Sequence, residues 1–87
     1  MKYIATKDEK GKEEIFLFPR DVHHDCMMEM LDCIKDQRDG NWTRIFREPI
    51  SAGFVDGNMN CYGRSETLNL ESRPVEDTGI LMKQMGG

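Results

Sequence analysis

Four adjacent residues, His23-His24-Asp25-Cys26, set two imidazoles, a carboxylate and a thiol side by side in an 87-residue chain. Such groups can ligate a metal or form a nucleophile with its base. His23 and Cys26 are three apart. Cys33 falls on the same side of a helix as Cys26, and Cys61 lies on a later segment that could approach them. Zinc takes four ligands of these types. The chain has neither CxxC nor HxxxH, so His23, Cys26, Cys33 and Cys61 are candidate donors only, and no metal or cofactor is expected. A Cys26–histidine pair lacks a third member and an oxyanion loop, so no enzymatic activity is expected either.

The segment around these residues reads as a helix. Asp21 is a plausible N-cap, the helix runs to about Gln37, and Gly40 is a plausible stop. Met27, Met30, Leu31 and Ile34 follow the i, i+3, i+4, i+7 spacing of a buried face. His23 projects towards that face near Met27, and His24 lies on the flank.

The opposite side of the same helix is acidic. Asp25, Glu29, Asp32 and Asp36 recur at i, i+4, i+7 and i+11, within roughly 60° of one another. Each like-charge neighbour costs about a few tenths of a kcal/mol. Charged runs mostly mark a solvated face. A stripe of one sign is also how proteins steer a basic partner. These four residues are therefore the candidate partner-binding surface, and the partner expected is a protein with a basic face.

The rest of the chain supplies strands. Lys2 to Thr6 and Glu13 to Phe18 form an N-terminal hairpin around Gly11 and end at Pro19. Ile15 and Leu17 share one face, and Phe16 and Phe18 share the other. A strand apolar on both faces is covered on both, or central. Trp42 to Arg47 reads as a strand or ordered loop interrupted by Pro49. Ile50 to Val55 and Met59 to Arg64 form a second hairpin around Asp56-Gly57-Asn58, which Glu66 to Leu70 could prolong. Residues 72–87 read as a short helix or a flexible tail. The whole is a single α+β domain over 1–87, in the order β-β-α-β-β, with one amphipathic helix on an antiparallel or mixed sheet.

Arg44, Arg47 and Arg64, with Trp42, Phe46 and Tyr62, give the second half a mild basic-aromatic character that could stack a base. Core packing and strand pairing account for these residues more simply. A net charge of -4 argues against direct nucleic-acid binding through phosphate neutralisation. Gly53, Gly57 and Gly63 form neither a GxGxxG nor a Walker loop and read as turn and bulge residues. Three cysteines and no apolar leader after Met1 point to free thiols in a reducing cytoplasm. No stretch is long enough to span a membrane.

Two resemblances bear on function. The terminal Gly86-Gly87 after this order of elements resembles the ubiquitin-like β-grasp carriers, whose glycine carboxylate is adenylated and then conjugated or thiolated. The chain departs from them in lacking a strand that leads into the glycines. The runs Phe16 to Met27, Ile50 to Val55, Cys61 to Leu68 and Arg73 to Thr78 are similar to small uncharacterised proteins of tailed phages and prophages. That likeness spans most of the chain and transfers no functional residue. It implies an accessory protein acting in the cytoplasm of a bacterial host, by contact with a host protein of defence or nucleic-acid handling. A structural role in the virion is the further alternative.

Overall fold

The structure, a computed structural model, describes residues 1–31 and 47–86 in full and the backbone of 33–35 and 42–44. The chain forms a small α+β fold. A four-stranded antiparallel sheet carries a helix on each face.

The strands β1 (Lys2–Asp8) and β2 (Glu13–Phe18) make the expected hairpin. Asp8 organises its turn. The Asp8 carboxylate accepts from the amides of Lys10 and Lys12, both at 2.9 Å, while Gly11 takes φ +84°, a conformation that costs glycine little. The predicted alternation along β2 holds. Ile15 and Leu17 join Tyr3, Ala5, Val55, Cys61 and Leu81 on one face. Phe18 joins Ile4, Ala52 and Met28 on the other. The strand is covered on both faces, but it is an edge and not central: the order is β2-β1-β5-β6.

The expected break at Pro49 is absent. Strand β5 runs from Arg47 to Val55, straight through the proline. Its register with β1 slips there, since Ala5 pairs with Ser51 and Thr6 with Pro49. Ile50 is the extra residue of a bulge, the place where a strand tolerates a residue without an N–H. The buried Thr6 hydroxyl beside it has no hydrogen-bond partner among the described residues.

Helix α1 is shorter than its periodicity implies. It spans His24–Leu31. The His23 carbonyl accepts its first bond, from the Met27 amide at 3.0 Å, so Asp21 lies in the turn before the helix and does not cap it. Cys33–Lys35 is a strand, β3, paired with β4 (Trp42–Arg44). The reading that carried the helix to Gln37 is overturned: β-branched Ile34 lies opposite Thr43 in this ladder, a setting both residues favour. Gly40, the expected stop, lies outside the described residues.

After β6 (Cys61–Tyr62) the chain does not continue as one strand. Gly63, at φ +81°, turns it into β7 (Arg64–Ser65). Glu66 to Asn69 is a turn, and β8 (Leu70–Glu71) pairs back on β7. Residues 74–84 then form α2 (Pro74–Gln84), so the terminal segment is a helix and not a flexible tail. Pro74 begins it, where a missing N–H costs nothing.

Helix α2 is tied to the sheet by polar contacts as well as by Leu81. Asp77 is fully buried. Its carboxylate accepts from the Tyr3 hydroxyl at 2.5 Å, the Arg73 amide at 3.0 Å and the Arg73 guanidinium at 2.9 and 3.2 Å. Burial, reinforced by Asp77, holds the Tyr3 phenol protonated far above the ordinary tyrosine range. Further along α2, the Gln84 side-chain amide accepts from the Ile15 N–H at 2.6 Å and donates to the Ile15 carbonyl at 2.9 Å. It thereby satisfies outward-facing backbone groups of edge strand β2.

Candidate functional site

The start of α1 has two surfaces with different chemistry. Its inward surface comprises His24 and Met28, both buried, with Met27 and Leu31 half-buried. This is the expected helical spacing, moved in phase. Met30, assigned to the core by its spacing, is 66% exposed. The two histidines also exchange roles: His23 is exposed, and His24 is buried.

The phase is set by a polar contact. The His24 Nε2 lies 3.1 Å from the Gly53 carbonyl, so the neutral ring donates its proton there and enters the core with that group satisfied. Its ring meets Phe18 edge-on at 5.2 Å and Phe54 edge-on at 6.0 Å. Burial lowers the His24 pKa, and the nearby Lys2 charge adds to this, against the opposing Gly53 hydrogen bond.

A histidine whose folded pKa is depressed takes up its proton more readily unfolded. Its contribution to stability is therefore complete above the ordinary value of 6.5 and is lost as pH falls below it. Thermal unfolding should show a falling midpoint between neutral and mildly acidic pH. His24→Gln, which keeps a donor but does not titrate, should remove that part of the slope. The carboxyls of Asp8 and Asp56 are held below their ordinary range chiefly by backbone amides, and their contribution disappears only at lower pH.

The outward surface of α1 carries Asp25, Cys26, Glu29 and Met30, all exposed. Asp25 and Glu29 lie one turn apart, as expected. Helix α1 ends at Leu31, before the other two acidic residues of the expected stripe. Asp32 and Asp36 lie outside the described residues.

On the flank of α1 is an open cleft of about 530 Å³, lined by Lys2, His23, His24, Phe54, Tyr62, Gly63, Arg64, Glu66 and Thr67. Its floor continues the aromatic row that begins at Phe18 and His24. Phe54 and Tyr62 stack with centroids 5.8 Å apart and planes tilted 31°. Arg20, just past Pro19, lies over Phe54 at 5.7 Å and donates to the Tyr62 hydroxyl at 3.3 Å. Arg64 donates to the Asn69 side chain at 3.0 Å, and Lys2 to the Val22 carbonyl at 2.9 Å. Gly63 keeps the wall open: a Cβ there would fall 2.9 Å from the Phe54 ring.

Of the basic-aromatic residues marked in the sequence, Tyr62 and Arg64 meet in this cleft. Arg47 does not. It lies over Phe16 at 5.0 Å and pairs with Glu14 at 3.7 Å. Phe46 and the side chains of Trp42 and Arg44 lie outside the described residues. Sequence reasoning missed Lys2, Arg20 and Phe54, which come from three separate segments. The one local signal was Arg20 placed directly after a strand-ending proline.

Among the described residues there is no group of three or more His, Cys, Asp or Glu side chains that could hold a metal. Cys26 is exposed on α1, while Cys61 is buried in the core beneath α2. Burial, the largest influence on Cys61, pushes its thiol pKa up, which disfavours the thiolate a metal needs. The Cys33 side chain lies outside the described residues. Helix α2 runs to Gln84 and Met85 is its C-cap, so no strand leads into Gly86. No described helix is long and apolar enough to cross a membrane. No family model matches the chain, nor does any curated protein or solved structure.

Proposed function

We propose that this protein is a non-enzymatic binding module, a phage or prophage accessory protein that engages a basic surface of a host protein through the outer face of α1. The observation that carries the reading is the composition of that face. Met30, a large apolar side chain, stands 66% exposed on the same outward half of α1 as exposed Asp25 and Glu29. An apolar side chain sharing a surface with charge of one sign suits a steered protein contact. The helix retains its own core contacts through His24 and Met28, so the outer face is spare. The likeness to phage proteins supplies the setting, the cytoplasm of a bacterial host.

The test is charge reversal. Asp25→Lys with Glu29→Lys should weaken capture of the host partner about tenfold or more, in line with a charge-steered interface, and leave the circular dichroism unchanged. Reversal of Glu76, exposed on α2, serves as the control and should have no effect. Binding should also weaken with added salt. A double variant that binds as well as the wild type would refute the surface assignment.

A further inference from the structure

We infer that the cleft between α1 and the β6–β7 turn is a binding site for a free nucleotide. Three features of its chemistry converge. The first is a stacking platform. Tyr62 is 41% exposed and is backed by Phe54, so a planar ring laid on its open face meets a rigid aromatic surface. The second is positive charge. Lys2 and Arg64 line the cleft, and Arg20, outside the lining, holds the Phe54 ring and the Tyr62 hydroxyl. Two cations against the single carboxylate of Glu66 leave the lining net positive on a chain whose net charge is -4, a local inversion suited to phosphate. The third is a set of polar groups for a sugar: the Glu66 and Thr67 side chains stand on the same wall, and a carboxylate there can accept from ribose hydroxyls.

The dimensions favour a small ligand over a polymer. About 530 Å³ lies within the range of small-molecule pockets. A strand of DNA or RNA would continue beyond the cleft onto a chain with excess negative charge, where phosphate contacts are unfavourable. This site is separate from the outer face of α1, and its ligand does not depend on the protein partner proposed for that face.

Isothermal titration of the full chain with adenosine and guanosine 5′-monophosphates and triphosphates tests the inference. At least one should bind saturably and shift the amide signals of Gly63, Arg64 and Thr67 in a heteronuclear spectrum. Adenosine or guanosine without phosphate, and inorganic phosphate without a base, should each bind about tenfold more weakly or worse. Tyr62→Leu and Arg64→Ala alter exposed side chains, so both variants should fold, and each should weaken the nucleotide about tenfold. The inference is overturned if no nucleotide binds, if phosphate alone or nucleoside alone binds as well, or if neither variant changes the affinity. Tighter binding of a single-stranded oligonucleotide than of any mononucleotide would likewise overturn it.

Discussion

Asp77→Ala is expected to lower the unfolding free energy by about 3 kcal/mol, at the lower end for breaking a buried charge pair. The carboxylate is fully buried and accepts four hydrogen bonds, one from Tyr3 and three from Arg73. Without it the Tyr3 hydroxyl is left in the core with no acceptor. Arg73 would keep Glu13 at 3.0 Å and Ser51 at 3.3 Å. Its side chain is 33% exposed, so water recovers part of its solvation and the cost stays at the lower end. A domain of this size has only about 4–13 kcal/mol in total, so the loss is a large share. Asp77→Asn preserves shape and one acceptor and should cost about 1–2 kcal/mol. Urea unfolding measures both: the midpoints should fall in that order with the slope unchanged. An alanine variant within about 0.5 kcal/mol of wild type, the range of ordinary surface changes, would show that the network does not hold α2 to the sheet.

Gly53→Ala should cost a comparable amount, about 3 kcal/mol, the upper end for overpacking. A Cβ at this position falls 2.3 Å from the Tyr62 carbonyl oxygen and 3.2 and 3.3 Å from the backbone carbons of Tyr62 and Gly63. All three are main-chain atoms and cannot swing aside. Strands β5 and β6 would have to separate, and only two residue pairs join them, Phe54 with Tyr62 and Val55 with Cys61. The Gly53 carbonyl also receives His24, so the strain reaches α1. Gly79→Ala is the contrasting control. A Cβ there meets nothing within 4 Å, and in the interior of α2 alanine should add up to about 1 kcal/mol. Chemical denaturation of the pair should give opposite signs. Equal effects would mean that the close approach at Gly53 is not what requires glycine.

Local rules carried the hairpins and failed at α1, for identifiable reasons. Alternation in Glu13–Phe18 was legible because both faces of β2 are covered. The turn around Asp56 was legible because Asp56 accepts from the amides of Asn58 and Asn60, a contact made within five residues. The phase of α1 was not legible. Met27 and Leu31 fit two adjacent buried faces equally well, and the choice between them rests on a hydrogen bond from His24 to Gly53, 29 residues away. Periodicity also cannot end a helix whose next residues are claimed by a partner strand, as Cys33–Lys35 are by Trp42–Arg44. The cleft was half legible: Tyr62 and Arg64 could be marked as a pair, but Lys2 and Arg20 reach them only through the sheet order.

The contact between Gln84 and Ile15 has a consequence for self-association. The Gln84 carboxamide presents Ile15 with one N–H and one C=O, the same pair that a neighbouring strand's backbone would present. At the rim of β2 it stands where another molecule's backbone would dock. The opposite rim, β6, is only two residues long and offers little to dock against. The sheet edge is thus occupied at Ile15 by a borrowed amide on one side and is only two residues long on the other, and both features disfavour edge-to-edge pairing between copies.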